Sequence, residues 1–503
     1  MTAAAAAVGI AGTSACVGAT NADNEGAETS SPPPGSPPGL AAFYQQKPSW
    51  SDCQGGFQCA TVKVPVDYAK PGSGQLEISV IRLPARDRSQ RIGSLVTNPG
   101  GPGGSGIEFV RNSANAFSQS LRNRFDLVGF DPRGVGASDG VRCLTGRQLD
   151  RFFATDSSPD DQGEIDKLIA AGKGFAGGCA AKSGRLLPHV GTLNAARDMD
   201  VLRAALGDRQ LTYFGASYGT YLGAFYADQF PRNVRALVLD GAVDPRLPAA
   251  RINLEQAKGF ERALRAFAED CVRTSGCPLG GDTGAALDAV SDLLAEADQT
   301  PLANGLGDGR QVTEALVATG IAAALYQKEA WPTLRLALGR AITDNDGTLL
   351  LKLSDLLTER KEDGSYSNLM EANLAVNCID KPFPDVAAYE EDAAAAERAA
   401  PRFGPFIVWG SLPCAYWPHR TAERPRALAA AGAKPILVIG TTRDPATPYG
   451  WSQGLAEQLE SGVLLSLDGD GHTAYLAGNQ CVGRAVDRYV IQGTAPEDGT
   501  MCK

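Results

Sequence analysis

Histidine is the scarcest chemistry-bearing residue of this chain: three in 503 residues, His189, His419 and His472. With no Cys-x-x-Cys pair beside them, so few imidazoles leave no ligand set for a zinc site, and no metal or other cofactor is expected. Long hydrophobic runs are missing as well, none reaching the roughly 18 residues of a membrane-spanning helix. A basic surplus is also absent: the formal net charge is -10 and the pI near 5.1, which argues against nucleic acid and other polyanions as partners. No internal repeat is present.

What the chain does have is a serine between glycines. The stretch LTYFGASYGTYLGA, 211–224, passes from a short β-branched and aromatic run to Tyr221, Leu222, Phe225 and Tyr226 at helical spacing. Ser217 therefore sits at a strand-to-helix corner, where small neighbours let the two elements approach and a strained turn pushes the hydroxyl clear of the backbone. The positive end of the following helix favours negative charge forming there.

A nucleophilic serine needs a base and an acid, in the chain order serine, acid, histidine when the three stand on one α/β sheet. The apolar run 435–440 leads into a loop carrying Asp444, and the run 464–467 leads into a glycine-rich loop ending at His472. A helix-like stretch, 451–459, separates them. Ser217 is thus the expected nucleophile, His472 the general base and then acid, and Asp444 the group that fixes the imidazole tautomer. Asp468 and Asp470 compete with Asp444 but lie within four residues of His472, on its own loop. His189 and His419 lack a strand-end setting and read as structural.

Acyl transfer also needs donors for the oxyanion. One is the backbone N–H after the nucleophile, Tyr218; the other is expected in the glycine-rich loop 98–106 after the run 95–97. Pro99 and Pro102 have no N–H, which leaves Gly101 as the second candidate. No Lys-Ser/Thr follows that loop, so it is not a P-loop phosphate cradle.

Taken in order, NPGGPGGSG, FDPRGVGAS, GASYG, RDPATP and DGDGH resemble the secreted tripeptidyl aminopeptidase branch of the proline iminopeptidase-type α/β-hydrolases of actinobacteria. The resemblance runs from about Tyr44 to the C-terminus. It implies an α/β-hydrolase fold with a mostly parallel central sheet and an inserted helical cap, and a triad of Ser217, Asp444 and His472. Gly101 and Tyr218 form the implied oxyanion hole, and Arg133 of the DPRG segment braces the active-site loops. Proline iminopeptidases tend to carry a histidine at the head of the oxyanion loop, where this chain has Asn98 and Pro99. That departure shifts the expected activity from strict prolyl specificity to release of short peptides, tripeptides, from free N-termini.

The core strands fall in two blocks, giving expected segments 1–43 (leader and tether), 44–244 (core), 245–434 (helical cap) and 435–503 (core). A cap excludes water and sizes the substrate. Recognition of a free α-ammonium calls for fixed carboxylates. Among the cap acids Glu359, Glu362, Asp363, Glu371, Asp380, Glu390, Glu391 and Asp392, most read as solvated helix faces. Glu371 and Asp380 flank an apolar stretch beside Cys378 and are the expected amine anchors. Trp331, Tyr366, Phe383, Trp409, Tyr416 and Trp417 are available to pockets, although core packing is the simpler role for each.

Of eleven cysteines, all but Cys16 fall into sequence-near pairs: Cys53 with Cys59, Cys143 with Cys179, Cys271 with Cys277, Cys378 with Cys414, and Cys481 with Cys502. Disulfides worth roughly 2–4 kcal/mol each suit an exported protein. Cys16 ends MTAAAAAVGIAGTSAC, which resembles a signal h-region and a lipobox without the positive n-region, and a Pro/Gly/Ser-rich tether follows. Both free secretion and attachment to the envelope membrane through a lipidated Cys16 fit, and a monomer is expected. Fold and triad do not choose between peptides and esters, so a carboxylesterase or lipase stands as the second reading and an inactive binding protein as the third. Serine at the corner excludes the nucleophilic aspartate of haloalkane dehalogenases.

Overall fold

A computed structural model describes residues 31–32, 36–419 and 424–503. Cys16 and the leader around it lie outside the described residues.

Among the described residues ten strands form one sheet, in the order β1-β2-β3-β5-β4-β6-β7-β8-β9-β10. The antiparallel edge consists of β1 (Ser51–Asp52), β2 (Gln58–Pro65) and β3 (Gln75–Leu83), the last pairing with β5 (Phe125–Phe130). From there β4 (Gly93–Asn98), β6 (Leu211–Ala216), β7 (Val234–Asp240), β8 (Ile436–Arg443), β9 (Gly462–Asp470) and β10 (Thr500–Cys502) continue in parallel. β4, β5 and β6 are buried at every residue, as expected of parallel strands covered on both faces by helices. Such strands read as continuous apolar runs rather than alternating ones, which is why the runs at 95–97 and 211–214 were legible.

Chain order reverses across β4. β5 lies on one side of it and β6 on the other, so β4 and β6 bound a topological switch point, where open α/β sheets leave a crevice beyond the strands' carboxyl ends. In register, Asn98 of β4 lies beside Gly215 of β6. The glycine-rich loop and Ser217 leave the sheet side by side for this reason.

β7 and β8 are sheet neighbours, yet the chain between them adds no strand to the sheet among the described residues. It forms helices, beginning with Ala249–Arg273, whose buried Phe260, Ala263, Leu264, Phe267, Ala268 and Cys271 recur every three or four residues along one stripe. That stripe joins Leu287, Val290, Val317, Ile321, Trp331, Leu334 and Leu350 in a hydrophobic core separate from those on the sheet. The helical layer is not built from this insertion alone. Helix Gln162–Ser183, between β5 and β6, packs Leu168 against Tyr389, Trp409 and Leu412, so the earlier segment contributes to the cover as well.

All five expected cysteine pairs are disulfides. Arg133 departs from expectation. Fully buried, it donates to both carboxylate oxygens of Asp198 and to the carbonyls of Pro65, Val66 and His189, and so braces the turn after β2. Within the same motif it is Asp131 that reaches the glycine-rich loop, accepting from Ser105 Oγ at 2.6 Å. No helix among the described residues is long and apolar enough to cross a membrane.

Candidate active site

Ser217 adopts φ 55° and ψ −125°, a conformation that a residue with a side chain rarely takes, at the corner between β6 and helix Tyr218–Gln229. Close packing holds it there. A Cβ on Gly100 would lie 2.5 Å from Ala216 O and 2.8 Å from Ser217 Cβ, so the loop after β4 presses directly on the corner, and the Ser217 N–H is taken by Asp240 O at 2.9 Å. Gly100 N–H is bound to Asn98 Oδ1 at 3.0 Å, whereas no protein acceptor takes the Gly101 or Tyr218 N–H among the described residues. Gly101, Ser217 and Tyr218 line the same cavity. Two amides without a protein acceptor among the described residues thus border the cavity that holds Ser217, one of them at a helix N-terminus, residues suited to receive an oxyanion.

Asp444 and His472 meet at the carboxyl ends of β8 and β9. His472 Nδ1 lies 2.9 Å from both Asp444 oxygens. The carboxylate is held in turn by the N–H groups of Ala446 and Thr447 at 2.9 Å and by Thr447 Oγ1 at 3.0 Å. Burial opposes charge on the imidazole, but the Asp444 carboxylate, with a smaller effect from Asp240, outweighs it and raises the His472 pKa above its ordinary value. Nε2 is buried with no hydrogen-bond partner among the described residues, Ser217 Oγ included, so the structure brings Asp444 to His472 but shows no hydrogen bond from the serine to the imidazole. Gly241 joins the two halves: it follows the residue that holds Ser217 N–H, and its absent Cβ would sit 3.2 Å from His472 Cε1.

Thr447 and Asp240 were missed in the sequence. Asp240 accepts the N–H groups of Ala474 and Tyr475, fixing the chain just after His472, and burial pushes its pKa up to about 6. Its place at the end of a strand, in VLDGAVD, was the available signal. Asp468 and Asp470 end β9 and pair with Arg443 rather than approaching the imidazole.

Over these loops lies the helical layer. The Tyr326 carbonyl takes His472 N–H at 2.7 Å, and Asn373 Nδ2 donates to Pro102 O at 3.1 Å. A Cβ on Gly259 would lie 2.2 Å from Pro445 O, so helix Ala249–Arg273 rests on the loop that carries Asp444. The result is a cavity of about 270 Å3 at Ser217. Through Gln256, Tyr326, Asn373, Leu374, Ile407 and Gly410 it adjoins an apolar cavity of about 310 Å3 bordered by Phe152, Phe260, Leu412 and Trp409.

The two expected amine anchors do not serve that cavity. Glu371, 2 % exposed, spends Oε1 on the N–H groups of Cys143 and Leu144, and Asp380 binds Thr192 N–H at 2.8 Å together with Thr192 Oγ1. Neither is among the described residues lining it. Their helix, Leu369–Asp380, is in place over the site but presents a different face: Asn373, Asn377 and the following Lys381, four residues apart, line the cavity. Of the aromatic candidates, Phe383 lines the catalytic cavity and Trp409 the apolar one. Trp331 and Trp417 lie in hydrophobic cores, Tyr416 packs against one, and Tyr366 donates to Asp150.

Residues 93–336 match the alpha/beta hydrolase fold family and residues 398–502 the TAP-like protein family. Serine protease Hip1 of Mycobacterium tuberculosis is 38% identical over 91% of this chain and 91% of its own. The chain belongs to the TAP-like α/β-hydrolases. Within this family carboxylesterase B of Mycobacterium tuberculosis is 39% identical, covering 94% of this chain and 93% of its own. Tripeptidyl aminopeptidase of Streptomyces lividans is 31% identical, covering 90% and 86%. The protein is an enzyme, a serine hydrolase with named peptidase relatives.

Proposed function

We propose that the enzyme is an exported serine exopeptidase that releases short peptides, three residues long, from free N-termini. Ser217 attacks the carbonyl while His472 takes its proton, and Asp444 holds the imidazole and stabilises its charged form. The oxyanion is received by the Gly101 and Tyr218 N–H groups; His472 then protonates the leaving amine, and water resolves the acyl-enzyme by the same steps in reverse. The size of the site carries the reading. Ser217 opens into a cavity of about 270 Å3 beneath the helical layer, with an apolar extension, which suits a chain end rather than a folded segment.

In place of Glu371 and Asp380, the α-ammonium is received by neutral oxygens. Asn253 gives its NH2 group to Ser411 Oγ, and Gln256 gives its own to Ala446 O. Their side-chain oxygens remain as acceptors at the cavity wall, on the helix that overlies the Asp444 loop. Export rests on the five disulfides. Membrane attachment through Cys16 is the accompanying proposal, read from the sequence.

A carboxylesterase is the second reading, favoured by one observation: no carboxylate lines the cavity among its described residues. A matched set decides: a tripeptide anilide with free amine, its N-acetylated twin, a single-residue anilide and a short acyl ester, each with wild type and Ser217→Ala. Cleavage of the free tripeptide that is lost on acetylation and in the variant supports the exopeptidase. Turnover of the ester alone overturns it.

A further inference from the structure

Among the described residues lining the catalytic cavity, Lys381 is the one that carries a formal charge, and it is only 9% exposed. A buried ammonium normally has a carboxylate partner, because desolvation is otherwise uncompensated. Lys381 has none within ion-pair distance among the described residues. Nζ donates to Asn377 Oδ1 at 3.2 Å and lies 4.8 Å from the centre of the Tyr221 ring. The adjacent Asp380 turns both oxygens to Thr192, and Glu371, on the same helix, faces Cys143 and Leu144. Burial lowers the Lys381 pKa, and Asp380 offsets this only in part.

The ammonium is tied to the reacting centre by a polar chain. Lys381 donates to Asn377 Oδ1, Asn377 Nδ2 donates to Asn373 Oδ1 at 3.2 Å, and Asn373 Nδ2 donates to Pro102 O, next to Gly101. A neutral amide oxygen and an aromatic face hold a cation in place without neutralising it. The missing counter-charge is then what a substrate brings.

We propose that Lys381 is a specificity residue: the preferred substrates carry a carboxylate that enters the catalytic cavity and pairs with its ammonium. The carboxylate is either an Asp or Glu side chain of the released segment or the terminal carboxylate of a short peptide. This deepens the exopeptidase reading and rests on the same cavity.

The test compares acids with their amides. One arm sets Glu against Gln at each position of tripeptide anilides, a second sets tetrapeptide acids against tetrapeptide amides, and a third sets mono-p-nitrophenyl glutarate against its amide. For wild type, the acid is expected to exceed the amide in kcat/KM by roughly tenfold to a hundredfold in one arm, through KM, as one charge-assisted hydrogen bond would give. In Lys381→Met that ratio falls to within about threefold of unity, and Lys381→Arg restores part of it. The first two arms separate the two carboxylate sources. Equal turnover of acids and amides by wild type, or a preference that survives Lys381→Met, overturns the proposal. Each ratio is taken within one leaving-group class, so turnover of esters alone would sink the peptidase reading and still measure the subsite.

Discussion

Ser217 keeps its strained backbone because everything beside it is small or fixed: Gly100 against its Cβ, Asp240 on its N–H and a helix starting at Tyr218. Removing the hydroxyl in Ser217→Ala is expected to abolish turnover, lowering kcat by about a millionfold, while binding of short peptides persists. Gly100→Ala places a methyl against Ala216 O and is expected to cost most of the activity, measured as kcat/KM on the same anilide. With His472 as the proposed base, the acid limb of the pH profile follows from its titration. Its pKa is raised in the folded protein, the base must be neutral to accept a proton, and activity therefore rises with pH through a midpoint above the ordinary histidine value near 6.5. Asp444→Asn removes the largest raising influence, so the midpoint moves down while kcat falls by roughly ten-thousandfold. A wild-type midpoint below 6.5 would contradict this electrostatic account.

At the scale of elements, helix Leu369–Asp380 shows where sequence reading stops. Its nearness to the site was legible from the acidic and apolar stretch MEANLAVNCID. Which face met the cavity was not, because Glu371 and Asn373 are both polar and helical spacing alone does not say which stripe a neighbour covers. The i, i+4, i+8 spacing of Asn373, Asn377 and Lys381 was the missed signal. Helix Glu314–Leu325 supports a separate prediction. Burial first, and the nearby Asp156 and Asp298 carboxylates next, push the Glu314 pKa up to about 7, although Ser158 hydrogen-bonds to it. A carboxyl whose folded pKa exceeds its unfolded value holds an extra proton when folded, so stability falls as pH rises from about 4.5 to about 7. Glu314→Gln should flatten that slope and raise Tm at pH 8 relative to wild type. Calorimetry at pH 5 and pH 8 gives the answer, and an unchanged slope would remove Glu314 as its source.

For the whole molecule, two chain segments far apart in sequence close over one sheet edge, and disulfides fix how they do so. Cys378–Cys414 ties the helix bearing the cavity's asparagines to the segment 412–416, and Cys143–Cys179 secures the cover contributed between β5 and β6. Removing the first bridge in a Cys378→Ser, Cys414→Ser variant is expected to cost about 2–4 kcal/mol of stability and to raise KM more than it lowers far-ultraviolet helicity. If activity and helicity fell together, the bridge would instead be holding the fold as a whole. The strands, the disulfide pairs, the inserted helices and the strand-end positions of Ser217, Asp444 and His472 were determined by the sequence itself. Buried parallel strands must be continuously apolar, a strained corner demands glycine neighbours, and cysteines close in sequence need little loop entropy to pair. Tertiary structure alone decided which carboxylates are free. Glu371 and Asp380 are consumed by backbone amides brought to them from the segment between β5 and β6, across more than 180 residues of chain. A side chain's charge is written in the sequence, but its partner is set by whatever the fold places within 3 Å of it.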